Sequence, residues 1–529
     1  MKPADKTRSI LQNTSVLMLA QVSSLAVSIL LTPFIVRTLG IERYGLWIFL
    51  GAIVAFAGLF QVGTGRGSIR FIAFYSERGD LNVARRIVAY GVLAHLASGA
   101  LLIPLAWFLG RAAIPHVGIA ADLQHTAETL FPLVVALFVF VGALRPFSAL
   151  LIGLDRMWVT SIAMLVSQLV YAVAIIGLLG SGAGLYGLLA ATFVQVALQG
   201  AICMAVGHSL IGRVLGNPFA LDRAVVGEMI RFGGWTQIVG LASLVNRQTD
   251  AIVIGVWVGL GSAGLYDLGN KIAQLTRTLP LSILGPLLPA TAGMHAQGAD
   301  RALARAVLQA SRLLALLTIG MAGFVLATAP LIMAVWLGKT YPHVVAISAI
   351  LVATYVVNNL TGVGTTVVSA IGKPRYESEY AVLGMTLNLG ATLALVPFFG
   401  LYGVLAGTLI GVVLCSLYFI WRFHRVMHYP LWTYVGSWLS RLAAGATLAG
   451  ASIAGIRVLL PASVVDDRWE AALTLVGLGA VYSVLLLVFL RLFRFLVARD
   501  LATLRRVMPR RLEPLTHLWA VEFVFGARS

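Results

Sequence analysis

The sequence predicts an all-α polytopic membrane protein, and three observations favour this fold class. Of its 529 residues, 59% are hydrophobic and only 11% are charged, and the mean hydropathy is +0.93. Apolar stretches of ~20 residues, the length that crosses a bilayer, recur along nearly the whole chain and give about 14 transmembrane helices. Short segments of the second half also repeat segments of the first half in the same order. Together these features predict two six-helix lobes related by a parallel pseudo-two-fold repeat, plus two C-terminal helices.

The apolar stretches set the positions of the predicted helices. Predicted helices one to six lie near 10–36, 46–64, 86–110, 126–150, 157–180 and 184–206. Predicted helices seven to fourteen lie near 232–258, 264–289, 308–335, 344–371, 378–398, 401–422, 437–460 and 471–495. The first stretch is too long for the apolar core of a signal peptide, so we expect an uncleaved first helix. Lysine and arginine gather in alternate connections and in the C-terminal tail, which favours cytoplasmic N- and C-termini.

Three pairs of similar segments carry the repeat. The first pair is GLYGLLAATFV (184–194) and GLYGVLAGTLI (400–410), at an offset of 216 residues. The second pair is LGIERYGLW (39–47) and VGLGSAGLY (258–266), and the third is IGLDR (152–156) and IGKPR (371–375). The offset of the second and third pairs is 219 residues. Six predicted helices separate the members of each pair, so both halves enter the membrane in the same orientation and the substrate path is expected between them. The domain prediction is an N-terminal lobe (1–207), a cytoplasmic linker (208–231), a C-terminal lobe (232–425), two extra helices (426–495) and a basic interfacial cytoplasmic tail (496–529).

Charge and cysteine content exclude several classes of protein. The net charge of +18 comes from basic residues in short connections, where membrane topology uses them, and therefore does not indicate nucleic-acid binding. Cys203 and Cys415 each lie inside an apolar run, so they predict neither a disulfide framework nor a metal site. There is no phosphate-binding P-loop motif and no carboxylate or His/Cys constellation in the loops. We expect a protein that is not an enzyme and needs no cofactor.

Residues 243–266 place ionisable side chains inside an apolar stretch that is long enough to cross a membrane. Arg247 and Asp250 are three residues apart, so they share one face of the predicted helix with Asn246 close by. An ionisable residue in a membrane helix costs roughly 2.5–3.5 kcal/mol on insertion scales, so it usually faces a partner or a water-filled cavity. The stretch predicts one wall of a polar path. The alternative is a self-neutralised pair that joins two helices.

The next predicted helix carries a polar stripe. Asp267, Asn270, Lys271, Gln274 and Arg277 recur at spacings of three and four, which places them on one helix face. Asp267 can neutralise Lys271 one turn away, which leaves Arg277 as the freer cation. The net positive charge makes the stripe a candidate contact for an anionic head group. Prolines downstream predict an interruption of the helix, as is acceptable where neighbours or water satisfy the freed carbonyls.

Milder polar positions lie on other predicted helices. Gln21 in helix one and Asn358 in helix ten belong to lines of Ser, Thr, Asn and Gln side chains, which line a pore or join neighbouring helices. His95 in helix three is a candidate proton relay, and the alternative is a histidine that is hydrogen-bonded within the bundle.

Three arginines lie at the cytoplasmic ends of predicted helices two and four: Arg66, Arg70 and Arg145. Taken singly, each is explained by positive-inside anchoring. Taken together, they form a basic group that can attract a phosphate to the mouth of a cavity.

Two motifs resemble a known family. PFIVRTLGIERYGLW (33–47) and DAIVIGVWVGLGSAGLYDLGNKIAQL (250–275) are similar to segments of bacterial polysaccharide transporters, the O-antigen flippase-like branch of the multidrug/oligosaccharidyl-lipid/polysaccharide exporter superfamily. The resemblance runs from about residue 10 to about residue 425, with the last two helices in addition. Two other functions remain open, a multidrug antiporter of the same superfamily and a peptidoglycan-precursor lipid flippase.

The resemblance implies a function, a location and partners. Such proteins move a polyprenyl-diphosphate-linked oligosaccharide from the cytoplasmic to the periplasmic leaflet of the bacterial inner membrane, by alternating access of the two lobes. The products are surface polysaccharides: O-antigen of lipopolysaccharide, capsule or exopolysaccharide. The implied partners are the lipid-linked oligosaccharide, membrane lipids, and the glycosyltransferases and polymerase of the same pathway, with no nucleic acid.

The resemblance also implies roles for residues. Members use cationic cavity residues for the diphosphate, and the matching positions here are Arg247, Lys271, Arg277, Arg66, Arg70 and Arg145. Many members have an Asp shortly before the Gly that ends helix two, whereas this chain reads Gln61-Val62-Gly63. This departure leaves Asp250 as the candidate coupling carboxylate.

Overall fold

The structure, a computed structural model, describes residues 3–60, 65–285, 287–339, 341–427, 438–461, 464 and 467–495, but not the side chains of 3–19, 59–60, 66, 116 and 232–239. The predicted interfacial tail (496–529) and the Gln61-Val62-Gly63 sequence lie outside the described residues. The described residues form sixteen α-helices, which are numbered here from α1 in chain order. They are α1 Pro3–Leu39, α2 Ile41–Ala55, α3 Arg66–Glu77, α4 Leu81–Ala113, α5 Ala121–Gly153, α6 Met157–Gly180, α7 Gly184–Ile211, α8 Arg223–Trp257, α9 Leu260–Leu281, α10 Leu287–Ala296, α11 Asp300–Leu337, α12 Pro342–Asn359, α13 Gly362–Ala370, α14 Arg375–Val426, α15 Ser440–Val458 and α16 Arg468–Leu492.

The described residues contain no β-strand, which agrees with the predicted all-α class. Ten of their helical segments are long and apolar enough to cross a membrane. α8, α9 and α15 are not among the ten; α8 and α9 carry the charged stripe predicted from the sequence, which lowers their hydropathy. α14 spans 52 residues and is broken at Gly400, so it combines predicted helices eleven and twelve. The count of fourteen spanning helices stays a prediction.

Several predicted helices differ in extent from those observed, and predicted helices two, eight and ten are divided. Predicted helix ten (344–371) becomes α12 and α13. Predicted helix two (46–64) begins earlier, after the turn at Gly40, and its α-helical part ends at Ala55 before a short 3₁₀ segment, Phe56–Phe60. The separate helix α3 then carries Arg66 and Arg70. Predicted helix eight (264–289) begins at Leu260, after the turn at Gly259, and ends at Leu281. It ends there because Pro280 removes a backbone donor from its last turn.

The chain forms two compact units. The first contains the described residues of Met1–Asp267 and Asn388–Gly407, and the second those of Leu268–Leu387 and Thr408–Ser529. One core of the first unit lies where α3, α4, α5 and α7 pack together, with fully buried Ile72, Ile87 and Leu150. In the second unit α15 and α16 pack on α11, and Tyr482 donates a hydrogen bond of 2.6 Å to the Gly320 carbonyl. The two extra helices are therefore fixed parts of that unit.

Left-handed backbone marks equivalent turns in the two halves. Gly40 and Gly259 have φ of 81° and 118°, and Gly184 and Gly400 have φ of 57° and 54°. Only glycine adopts such angles at little cost, which explains why these glycines survive in both copies of the repeat. Two of the three predicted matches therefore correspond to equivalent turns.

The third match has the right turn but the wrong register. The left-handed residues are Asp155 (φ 58°) and Gly372 (φ 74°), an offset of 217 instead of the 219 given by aligning IGLDR with IGKPR. The glycines that align in sequence have different tasks, because Gly153 lies inside α5, where a Cβ would come within 2.6 Å of Ile72 Cγ2. Close packing requires a glycine at 153, and the left-handed turn requires a glycine at 372. The sequence motif does not distinguish these two requirements.

The repeated segments 39–47 and 258–266 pack against each other inside the first unit. A Cβ at Gly45 would overlap the carbonyl oxygen of Leu260, and a Cβ at Gly264 would lie 2.8 Å from the carbonyl oxygen of Ile41. The offset of 219 relates Gly45 to Gly264 and Ile41 to Leu260, so the contact is reciprocal, as in a two-fold interface. The start of α2 and the start of α9 thus meet backbone to backbone.

This contact predicts a sharp difference between two glycines of α2. Gly45→Ala should destabilise the protein by about 1–3 kcal/mol, because the new methyl group must push two backbones apart. Gly51→Ala is the matched control, since a Cβ there meets nothing within 4 Å and alanine favours a helix. Thermal unfolding in detergent measures both. Equal unfolding temperatures for the two variants would contradict the close backbone contact.

Candidate substrate-binding site

The second unit holds an oriented arginine on α9. The guanidinium carbon of Arg277 lies 5.1 Å from the centroid of the Tyr355 ring on α12, and the Arg277 side chain is half-buried. The Tyr355 hydroxyl donates a hydrogen bond of 2.8 Å to Asn270 Oδ1, two turns before Arg277 on α9. The bond fixes the ring, and the ring face attracts the cation. Lys271 and Gln274 are half-buried on the same helix.

Beside this arginine, a network of amides and hydroxyls joins helices of the second unit. Asn358 Nδ2 donates to the Tyr380 hydroxyl at 2.6 Å. Asn359, 1% exposed, donates to the Thr276 carbonyl at 3.0 Å and to Thr318 Oγ1 at 3.2 Å. An amide in a membrane interior must find such partners, because no water is present to replace them. The Asn358 side chain on α12 thus reaches Tyr380 on α14.

The first unit holds the two candidate carboxylates, each with a tyrosine. Asp250 on α8 is only 2% exposed and accepts a hydrogen bond of 2.7 Å from the Tyr266 hydroxyl. Asp267 on α9 accepts a hydrogen bond from the Tyr44 hydroxyl on α2. Both bonds place a neutral donor beside an acid, which lowers the cost of burying the acid in apolar surroundings.

Asn246 also lies in the first unit, one turn before Asp250. Asn388 Nδ2 on α14 donates to Asn246 Oδ1 at 3.5 Å, and Thr392 donates to Asn388 Oδ1 at 3.1 Å. Asn388 and Thr392 are buried. The polar face of α8 is thus continued by α14.

The remaining predicted site residues lie in the first unit and differ in exposure. Arg247 is exposed although Asp250, three residues on, is buried. Gln21, Arg70 and Arg145 are exposed, and the Arg70 guanidinium lies 5.6 Å from the ring centroid of Phe71. α3 begins at Arg66, whose side chain lies outside those that the structure describes.

Sequence reasoning missed the tyrosines and Asn359. Tyr44, Tyr266, Tyr355 and Tyr380 each bring a hydroxyl to a polar group. The available signal was a tyrosine inside an apolar run, because a buried hydroxyl needs an acceptor. Among the described residues, no group of three or more His, Cys, Asp or Glu side chains is arranged to hold a metal ion.

The sequence matches the family of polysaccharide biosynthesis proteins over residues 10–295, more than half of the chain. The protein belongs to this family.

Relatives of this polysaccharide biosynthesis protein include a membrane protein and a probable flippase. The uncharacterized membrane protein EpsK of Bacillus subtilis (strain 168) is 23% identical over 423 residues, which cover 77% of this chain and 81% of that protein. The probable flippase AglR of Haloferax volcanii is 22% identical over 408 residues, which cover 75% of this chain and 80% of that protein.

Solved structures of transporters share the fold. The lipid II flippase MurJ in its inward closed conformation aligns with a TM-score of 0.70 at 14% identity, over 92% of this chain and 99% of that one. A multidrug resistance MATE family transporter of the MOP superfamily in its inward-facing conformation aligns with a TM-score of 0.65 at 16% identity, over 79% of this chain and 98% of that one. The predicted fold class and family are confirmed. The chain is a membrane transporter for polysaccharide biosynthesis and not an enzyme.

The Tyr355–Asn270 bond predicts energetic coupling between two side chains of this polysaccharide biosynthesis protein. In a double-mutant cycle, Tyr355→Phe and Asn270→Ala should each lower the free energy of unfolding by about 0.5–1.5 kcal/mol, because each removes the same hydrogen bond. The double variant should lose less than the sum of the two. Chemical unfolding in detergent measures the cycle. Strictly additive losses would show that the two side chains do not interact.

Proposed function

We propose that the protein is a flippase that moves a polyprenyl-diphosphate-linked oligosaccharide from the cytoplasmic to the periplasmic leaflet by alternating access. The product serves O-antigen, capsule or exopolysaccharide biosynthesis, and the protein acts in the bacterial inner membrane with both termini in the cytoplasm. The general function, membrane transport for polysaccharide biosynthesis, follows from the family. The substrate is inferred from the charge of the candidate site. The six-helix lobes 1–207 and 232–425 are the proposed moving parts.

Arg277 carries the proposal. A guanidinium is planar and bears five N–H donors around its edge, and the attraction of the cation to the Tyr355 ring uses none of them in a hydrogen bond. Paired N–H donors match two oxygens of a phosphate, and such charge-assisted bonds strengthen where water is excluded. In the described part of the chain, no carboxylate forms a salt bridge with Arg277. The half-buried cation on α9 is thus ready to meet a diphosphate.

The other candidate residues have proposed roles that suit an anionic substrate. We propose diphosphate contacts for Arg247, Lys271, Arg66, Arg70 and Arg145, as the family resemblance implies. Asp250 and Asp267 are the candidate coupling or charge-pair carboxylates. The proposed polar lining consists of Asn246, Asn270, Gln274, Gln21 and Asn358.

The similarity to MurJ supports a second candidate, a flippase for a peptidoglycan precursor, because the alignment includes nearly the whole of both chains. A lipid-linked diphosphate would be the substrate in both cases, so Arg277 would have the same role. A multidrug antiporter fits less well, because Lys271 and Arg277 make the stripe on α9 cationic, and a cationic stripe repels a cationic drug. The family match over residues 10–295 favours the polysaccharide pathway.

Replacing the cations of α9 tests the proposal. Arg277→Ala and Lys271→Ala should each reduce surface polysaccharide by about tenfold or more while the protein still reaches the membrane, since a charged hydrogen bond is worth about 1.5–3 kcal/mol. Arg277→Lys should restore only part of the activity, because lysine lacks the planar paired donors. The readouts are surface glycan staining and membrane protein level.

Arg301→Ala is the matched control, because Arg301 is an exposed arginine near the beginning of α11, away from the stripe. It should leave surface glycan unchanged. Normal surface glycan in both the Arg277→Ala and Lys271→Ala cells would overturn the assignment of the site.

A further inference from the structure

α4 and α5 pack closely around a buried histidine. A Cβ at Gly91 would lie 2.8 Å from Pro146 Cγ, and a Cβ at Gly99 would lie 2.5 Å from Val139 Cγ1. The helices therefore run antiparallel, with Gly91 opposite Pro146 and Gly99 opposite Val139. His95 lies midway between the two glycines of α4, so it faces the midpoint of the α5 segment, at buried Gly142.

His95 has one nitrogen satisfied and one unsatisfied. It is 2% exposed, and its Nδ1 lies 2.7 Å from the carbonyl oxygen of Gly91. A carbonyl only accepts, so Nδ1 carries the hydrogen and donates it, and Nε2 of the neutral ring is an acceptor. Nε2 is buried and has no hydrogen-bond partner among the described residues. An unsatisfied buried polar atom costs about 1–3 kcal/mol, so this one requires an explanation.

A second acceptor lies across the helix contact. Pro146 has no backbone N–H, so the carbonyl of Gly142, four residues earlier, lacks its helical donor. Because side chains lean toward the beginning of their own helix, the His95 ring points toward Gly91, the level at which α5 presents Pro146 and the freed Gly142 carbonyl. The contact therefore holds two acceptors at the same level, the unpartnered Nε2 of His95 and a Gly142 carbonyl that Pro146 deprives of its helical donor. A single proton would satisfy both.

We propose that His95 is a proton-binding site. Nε2 takes one proton from water, the ring becomes a cationic imidazolium, and the new Nε2–H donates to the carbonyl oxygen of Gly142. The O–H bond of a hydronium ion of the solvent breaks as the Nε2–H bond forms, water is left behind, and nothing is oxidised or reduced. Nδ1 keeps its hydrogen and its bond to Gly91 throughout.

The charged groups around His95 influence the pH at which the proton binds. Arg145 is adjacent to Pro146 on α5, at the level of α4 toward which the His95 ring points, and a guanidinium near an imidazole repels a proton from it. The other charged side chains of α5 lie beyond the far end of the contact, because Gly110 of α4 packs near Glu128. α3 packs against Ile87 and Val88, which lie about two turns before His95 on α4. No described carboxylate faces His95 to offset Arg145.

An anion bound at Arg145 would remove that repulsion. This step rests on the proposed function, in which Arg145 contacts the diphosphate. An anion at Arg145 then favours the proton on His95, and by thermodynamic reciprocity the proton favours the anion to the same extent. The substrate and a proton would therefore bind together.

The first experiment needs no ligand. Protein labelled with ¹⁵N-histidine is titrated from about pH 8 to about pH 5, the range in which histidines change charge. The signals of His95 are those that disappear in the His95→Gln variant. As the pH falls, they should show that Nε2 gains a hydrogen while Nδ1 keeps its own. The titration is carried out in detergent. A ring that stays neutral until the protein unfolds would overturn the proposal and indicate a trapped water as the donor.

The second experiment measures the coupling. The probe is farnesyl-diphosphate-linked N-acetylglucosamine, whose diphosphate diester keeps its charge across this pH range. Its dissociation constant should fall about fivefold or more as the pH is lowered, and His95→Gln should bind with little pH dependence. His208→Gln, at an exposed histidine of α7, is the matched control and should behave as the unmodified protein.

The two experiments separate the two proposals. The same pH dependence in His95→Gln as in the unmodified protein would overturn the coupling. A probe that binds at no pH would count against the proposed function, and the ¹⁵N titration would still decide whether His95 binds a proton.

Discussion

The cost of burying polar and charged groups in an apolar helix bundle is the constraint on which this structure depends. The chain meets it with tyrosine hydroxyls. Tyr266 donates to buried Asp250, and Tyr44 donates to Asp267. Tyr355 does two things at once, because its hydroxyl holds Asn270 while its ring lies under the Arg277 guanidinium. Each of these tyrosine hydroxyls and the Asn270 amide is a neutral group, so these contacts satisfy polar atoms without adding charge to the bundle.

The repeat gives this arrangement a common frame. The turns at Gly40 and Gly259 begin α2 and α9 in the same way, and Gly45 and Gly264 let the two helices meet backbone to backbone. Tyr44 is adjacent to Gly45, so the close packing also brings its hydroxyl to Asp267. A glycine contact between the repeats thus determines where a polar contact forms.

Much of the fold follows from the sequence, because hydropathy and glycine turns are local properties. The class, most of the helices and two of the three repeat registers were predicted correctly. The separate helix α3 was missed because the apolar stretch before it hides the break after Ala55. The third register was misjudged because Gly153 and Gly372 look alike in sequence but meet different packing and turn requirements.

The polar stripe on α9 was predicted by its spacing alone, since side chains at three and four residues share a helix face. Its partners were not, because Tyr355 is 85 residues from Asn270 and Tyr44 is 223 residues from Asp267. Contacts at such separations depend on tertiary packing, which a single sequence does not encode in its local pattern. Asn359 was overlooked beside Asn358 for the same reason, since it reaches Thr318 on another helix.

The lipid-linked glycans of cells that lack this protein, separated by membrane leaflet, test the central claim most directly. The account predicts that a polyprenyl-diphosphate oligosaccharide accumulates in the cytoplasmic leaflet while surface polysaccharide is lost. An unchanged glycan profile, accompanied by new sensitivity to cationic drugs, would contradict it and indicate a multidrug antiporter.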